Sequence, residues 1–322
     1  MINLNKKFIE LNRNIKDSQY PINFKGAVKA YYGINKDGFY RISFLSSKSP
    51  DIKGTTKNIS IVQGNSSENN YWTCFDLKND SLLSVFCTFG EDLISCVLEE
   101  TVEYVALSRL RARFNTWLAL FRKTRTPLSP EKAKGLYGEL YFIKKYLSIK
   151  YSIEEAIKCW SGPEKYSKDF AINDTWYEVK TINVGSSVVK ISSIQQLSSD
   201  IEGRLVVIRV EEMADSFGEE YSTINKLCQS IISSVSDSEI KDLFLIKLSE
   251  IGFDFCDDLG DKNYHVHKVE NYIVNEGFPA LREKDIKEEA INNVSYEIVL
   301  KMIKGYMEGQ TRWHLKNLEK NS

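Results

Sequence analysis

Ser167-Lys168-Asp169-Phe170-Ala171-Ile172-Asn173-Asp174-Thr175-Trp176-Tyr177-Glu178-Val179-Lys180-Thr181-Ile182 is the stretch whose reading decides the fold. Asn173-Asp174 separates two runs rich in β-branched and aromatic residues, the signal of a two-residue hairpin loop. With that loop, Ile172 faces Thr175, Ala171 faces Trp176, Phe170 faces Tyr177 and Asp169 faces Glu178. Directly opposed side chains have Cβ atoms about 4.5–5.5 Å apart, and like charges there destabilise a sheet. A divalent cation held by oxygen ligands offsets the repulsion, and Mg²⁺ is typically bound through one or two carboxylates plus phosphate oxygens. The strand period of two then sets Lys180 on the face of Glu178, one repeat further along. Two carboxylates and an ammonium aimed at one spot suit metal-ion phosphodiester chemistry. The plain alternative is a solvated strand face, because a bare D-x(n)-E-x-K string recurs by chance.

Flanking segments favour the chemical reading. Upstream, Glu131 to Leu147 (EKAKGLYGELYFIKKYL) carries Leu136, Leu140, Ile143 and Leu147 at helical spacing, the apolar stripe of a core-facing helix. Glu139 sits on the edge of that stripe, where a carboxylate is costly unless paired or metal-bound. The alternative is that it reaches out to Lys132 or Lys144. Downstream, Val188 to Ile191 reads as a short strand. Ser192 or Ser193 then N-caps a helix through Ile194-Gln195-Gln196-Leu197, and Gly203 is its C-cap. Arg204 to Val210 (RLVVIRV) is a nearly continuous apolar run, as expected of a strand buried on both faces.

In this order the residues resemble the PD-(D/E)xK nucleases of the restriction-endonuclease-like fold: Glu139 on the first helix, Asp169 on one strand, Glu178-x-Lys180 on the next, then helix and strand. More narrowly, GLYGELYFIKKYL, the WSGP segment at Trp160 to Pro163, KDF, YEVKT and KISSIQQL resemble a bacterial PD-(D/E)xK family encoded in phage-defence or restriction-type gene clusters. The specific motifs span about Lys134 to Val210. Lys168 replaces the proline of the motif, a change common in the superfamily.

The resemblance implies an α/β fold with a restriction-endonuclease-like core, αβββαβ, a mixed sheet flanked by helices. It implies that Asp169 and Glu178 ligate Mg²⁺ or Mn²⁺ together with the Val179 backbone carbonyl, and that Glu139 supports a metal or a metal-bound water. Lys180 is then the group that orients the attacking water, lowers its pKa or stabilises transition-state charge. Gln196, with Gln195, is a candidate for contacting phosphate or water at a helix start, where free backbone donors favour anions; solvent exposure is the other reading. The implied activity is metal-dependent hydrolysis of DNA by an endonuclease of a defence or restriction system, working with proteins such as an ATPase or methyltransferase. A catalytically silent DNA-binding or scaffold subunit on the same fold is the main rival, and a nuclease for RNA or another phosphodiester the third. Cutting two strands needs two active sites or sequential nicking, which a homodimer would satisfy, although no residue points to one.

Composition bounds the class. At 322 residues the chain exceeds one typical core, so several domains are expected, and 42% hydrophobic residues suffice to bury them. A formal net charge of -1 does not announce a nucleic-acid binder, so contact with DNA must come from local patches. Six cysteines without C-x-x-C pairing read as free thiols in a reducing compartment. The first twenty residues lack an apolar h-region and no run reaches the ~18 apolar residues of a membrane span, so the cytoplasm is the default and no membrane contact is expected.

Residues 1–90 read as a β-rich module after an opening helix, with strands at Gly26 to Tyr32, Gly38 to Phe44, Ile59 to Val62, Tyr71 to Leu77 and Leu82 to Cys87. Residues 91–126 read as a long basic helical connector. Its Arg109, Arg111, Arg113, Arg122, Lys123 and Arg125 interleave with Phe114, Trp117 and Phe121, either as a phosphate-binding surface or as core aromatics beside solvated arginines paired with Glu99, Glu100 and Glu103. Pro127 and Pro130 mark its end. The nuclease core is expected over 127–215 and an α+β extension over 216–322. In the extension, helices near Tyr221 to Val235 and Glu239 to Leu248 precede a strand at Tyr264 to Val274. His265 and His267 share a strand face there, but without a third ligand they read as surface imidazoles; His314 lies in a polar tail.

Overall fold

The computed structural model describes residues 2–54, 56–66, 70–121, 128–161, 168–213, 222–286, 291 and 293–311. The chain divides into two compact units, Met1–Pro127 with Phe244–Asp257, and Leu128–Leu243 with Asp258–Ser322.

The first unit opens with α1 (Leu4–Ile9) and continues through β1 (Ser18–Ile22), β2 (Lys29–Ile34), β3 (Tyr40–Ser46), β4 (Ile59–Asn65) and β5 (Tyr71–Leu77). These strands form one antiparallel sheet in the order β1-β2-β3-β5-β4. Helices α2 (Leu83–Ser95) and α3 (Glu103–Leu120) follow. The run expected as a strand from Leu82 to Cys87 therefore starts a helix. Its apolar residues Leu82, Val85, Phe86, Phe89 and Leu93 recur every three to four positions and are all buried, which satisfies a helix face and not a strand face.

The single helix expected over 91–123 is two helices. Between them Val97 is buried and the Glu100 carbonyl accepts the Ala27 N–H at 2.8 Å, so that backbone bonds across the fold rather than along a helix. The aromatics of α3 belong to the core: Phe114, Trp117 and Phe121 are buried, and Phe89 meets each of them edge-on or nearly so. Arg113 is buried 3.6 Å from Asp92, which also accepts from Trp117 Nε1 at 2.8 Å. Arg109 pairs with Glu100 at 3.0 Å and Arg111 approaches Asp51 at 3.9 Å. Of the described arginines only Arg113 is buried, while Arg109 and Arg111 remain exposed beside the carboxylates they approach. Arg122, Lys123, Arg125 and Pro127 lie outside the described residues.

In the second unit Ser129 N-caps α4 (Pro130–Phe142) by accepting the Lys132 N–H, with Pro130 at the first helical position where no donor is lost. A π-turn, Ile143–Leu147, carries the helix into α5 (Ser148–Lys150), and α6 (Ile153–Lys158) follows. Leu136, Leu140, Ile143 and Leu147 are all buried, as the stripe predicts. Then come β6 (Phe170–Ile172), β7 (Thr175–Asn183), β8 (Val188–Ile191), β9 (Gly203–Met213), α7 (Ile224–Ser234), α8 (Ser238–Ile251, which ends in the first unit), β10 (Asn263–Val274), β11 (Tyr296–Val299) and β12 (Met307–Thr311).

The main sheet runs β12-β10-β9-β7-β6 and is mixed: β7 and β9 are parallel and the other pairs antiparallel. This is an α/β architecture whose order departs from αβββαβ in two places. Strand β8 leaves the main sheet and pairs with β11. The expected second helix is a single 3₁₀ turn, Ile194–Gln196, to which Ser193 gives no side-chain cap. Gly203 is not its C-cap; it opens β9, where a Cβ would lie 2.0 Å from the Trp176 ring. Strand β9 is buried as its apolar run predicts, with Leu205, Val206, Val207 and Ile208 fully covered.

All six cysteines are free thiols. His267 pairs with Glu211 at 2.8 Å and its ring lies 4.6 Å from that of His265, while His314 is outside the described residues. Among the described residues no helix is long and apolar enough to cross a membrane.

Helix α4 lies close on β7 because Gly138 has no side chain: a Cβ there would fall 1.8 Å from Thr181 Oγ1. Gly138→Ala is therefore expected to lower stability by about 1–3 kcal/mol, the usual cost of overpacking. Removing the hydroxyl as well, in Gly138→Ala/Thr181→Ala, should recover much of that loss. Thermal melts of the two variants check this, and equal melting temperatures would contradict the contact.

Candidate active site

The β6–β7 hairpin forms in the expected register, with Phe170 opposite Tyr177, Ala171 opposite Trp176 and Ile172 opposite Thr175. Asn173 takes the left-handed backbone conformation (φ 52°), which asparagine tolerates better than most residues. On its other side β6 is joined by residues 159–161: Trp160 bridges Phe170, the Ala171 N–H donates to the Cys159 carbonyl, and the Ser161 N–H donates to the Asp169 carbonyl at 2.8 Å.

The ladder between β6 and β7 ends at Phe170–Tyr177, so Asp169 does not face Glu178 as a simple cross-strand pair. Its side chain instead turns onto the β7 backbone, where Oδ2 accepts the Val179 N–H at 2.7 Å. Glu178 is fully buried. The Lys180 ammonium lies 2.7 Å from Glu178 Oε1, and the other carboxylate oxygen, Oε2, has no hydrogen-bond partner. Lys180 donates to Gln196 Oε1 at 2.9 Å, and the same oxygen accepts the Ser192 N–H at 2.8 Å. Gln196 is thereby turned towards Lys180, whereas Gln195 is exposed and bonds Glu283 at 3.1 Å.

Glu139 joins this group from α4. Its Oε2 accepts from Trp160 Nε1 at 2.6 Å, while Lys144, one of its expected partners, bonds the Ser230 carbonyl and Ser234 Oγ instead. Glu139, Asp169, Glu178, Lys180 and Gln196 thus come from a helix, a hairpin and a turn to one region of the second unit.

A family model described as "Putative PD-(D/E)XK family member, (DUF4420)" matches residues 4–301. The chain belongs to this family. No curated protein and no solved structure matches the chain.

Electrostatics follow from burial. Glu178 is pushed up to about 8, first by desolvation and then by Asp169, with Lys180 opposing. Glu139 is likewise pushed up to about 8 by desolvation, then by Asp169, against the hydrogen bond from Trp160. Asp169 is raised by desolvation, opposed by Lys180 and by the Val179 N–H. Desolvation draws Lys168 down to about 8, although Glu178 favours its charged form. The oxygen donors suit a hard divalent cation, and the buried Glu178 Oε2, which has no hydrogen-bond partner, fits one. Among the described residues no three His, Cys, Asp or Glu side chains converge tightly enough to hold a metal unaided. A cation here would complete its shell from backbone, water or substrate oxygens, as Mg²⁺ characteristically does.

Sequence reasoning did not single out Trp160, whose indole holds Glu139, or Lys168. The WSGP segment was a signal for the first. The second was visible only as a departure from proline.

A carboxyl held near 8 in the folded chain and near its ordinary 4.5 when unfolded keeps its proton across that interval only in the fold. Stability is then full below the unfolded value and falls as pH rises towards 8. In EDTA, the melting temperature is expected to drop between pH 5 and 8.5. Glu178→Gln should flatten that drop and exceed the wild type at pH 8.5 by about 1–3 kcal/mol. Parallel pH profiles would remove Glu178 as the cause.

Proposed function

We propose that the chain is a divalent-metal-dependent nuclease that hydrolyses DNA phosphodiester bonds, an endonuclease of a bacterial defence or restriction system. One observation carries the reading: Glu178 is fully buried, the Lys180 ammonium stands 2.7 Å from its Oε1, and its Oε2 has no hydrogen-bond partner. Buried carboxylates are normally paired and hydrogen-bonded or bound to metal. Membership of the family supports the same chemistry.

In this reading Asp169 and Glu178, with the Val179 carbonyl, hold Mg²⁺ or Mn²⁺, and Glu139 supports the metal or its water. The bound ion supplies Lewis-acid polarisation of a phosphoryl oxygen and a water of lowered pKa. The chain's own residues do the rest. Asp169, fastened to the Val179 N–H, is held to one orientation. Trp160 does the same for Glu139. Lys180 presents a positive charge where negative charge grows on the phosphoryl group, which is the larger catalytic term when the donor is preorganised. Gln196 acts on Lys180 by fixing its ammonium, rather than on phosphate.

Plasmid and oligonucleotide DNA incubated with the purified protein should be cut in Mg²⁺ or Mn²⁺ and left intact in EDTA. Glu178→Ala and Lys180→Ala should each lose about 10²-fold or more, the scale of removing one preorganised electrostatic group. Mn²⁺ binding measured by calorimetry should be lost in Glu178→Ala. Cutting by both variants, or none by wild type in any metal, would overturn the catalytic reading. Salt-dependent DNA binding without cleavage would point to the silent subunit instead.

A further inference from the structure

Lys168 occupies the place of the motif's proline and stands next to Asp169. Its ammonium donates to the Gln195 carbonyl and, at 2.9 Å, to the Ser198 carbonyl. It also lies 4.1 Å from the centroid of the Trp176 ring. That ring is itself fixed: Trp176 is buried, its Nε1 donates to the Ile201 carbonyl at 3.1 Å, and Gly203 leaves the space it fills. The ammonium is therefore held by two carbonyls and the face of a fixed ring.

The segment it grips is the 3₁₀ turn Ile194–Gln196, which is short and lacks a side-chain cap. A three-residue 3₁₀ turn has poor hydrogen-bond geometry of its own. Yet this turn carries Gln196, whose Oε1 bonds both the Ser192 N–H and the Lys180 ammonium. A proline at 168 would supply no donor to either carbonyl.

We propose that Lys168 is a positioning residue for Lys180, acting through the turn: it clamps the backbone on both sides of Gln196 and so holds the amide that orients the Lys180 ammonium. The proposal rests on the nuclease reading only for its kinetic consequence, because the clamp itself is a property of the metal-free chain.

The test uses the full chain with Lys168→Met, which keeps an unbranched side chain of similar length and loses the charge and the donors, and Lys168→Arg, which keeps both. In metal-free protein, the Ser192 amide of Lys168→Met should exchange with solvent about five- to tenfold faster, the scale of one lost hydrogen bond. The ¹⁵Nζ signal of Lys180 should shift with it, and Lys168→Arg should restore both. The Val179 amide, held by Asp169, reports whether the hairpin has stayed intact; where Lys168→Met disturbs it, Lys168→Gln takes its place. Unchanged Ser192 exchange and an unchanged Lys180 signal would overturn the clamp, whether or not the protein cuts DNA. Where the wild type cuts, kcat should fall about tenfold at constant KM in Lys168→Met, and the loss should not add to that of Gln196→Ala, since both act through one amide. Additive losses would show that Lys168 acts by another route.

Discussion

Glu178 is buried completely in the middle of β7, and the second unit is arranged around that fact. A charged carboxylate in such a place carries a desolvation cost of several kcal/mol unless something positive or donating compensates it. The chain offers the Lys180 ammonium to one oxygen and no hydrogen-bond donor to the other. It adds Asp169 and Glu139 nearby, whose charges raise the cost further. Desolvation, with Asp169 adding to it, raises Glu178 and Glu139 to about 8, so both favour the protonated form more than an exposed carboxyl does. A bound cation would favour the ionised form of the same carboxyls.

The supporting contacts make sense in this light. Gly138 lets α4 approach β7 until Thr181 is in contact, and that approach carries Glu139 in beside the hairpin. Trp160 sits on the segment running alongside β6 and fixes Glu139 by one hydrogen bond. Asp169 spends one oxygen on the Val179 N–H, closing the end of the ladder that the short β6 leaves open. Lys168 and Gln196 tie the turn after β8 to the same place. The first unit is built differently, on a cluster of aromatic rings and a buried Arg113–Asp92 pair.

Local patterns were the legible part. The Asn173-Asp174 turn and its flanking runs specify the hairpin and its register, because loop length and side-chain alternation are properties of adjacent residues. The leucine stripe of α4 and the apolar run of β9 read correctly for the same reason. The segment at Leu82 to Cys87 did not, since a short apolar run suits a strand or a buried helix equally until its neighbours are known. Gly203 misled because a glycine after a short apolar run reads as a helix cap, whereas here it makes room for the distant Trp176 ring.

By itself, the sequence determined the candidate residues: Asp169, Glu178 and Lys180 follow from one hairpin, and Glu139 from the edge of one helix stripe. Tertiary structure alone decided how they are used. It ended the ladder one residue before the two acids could face each other, turned Asp169 onto a backbone N–H, and sent Gln196 to Lys180. It also brought Trp160 to Glu139 across 21 positions of chain and Lys168 to Ser198 across 30. Periodicity encodes which face a side chain takes within its own element. Hydrogen-bond partners between elements depend on how closely those elements pack, and here that closeness comes from two glycines whose neighbours are far away in sequence.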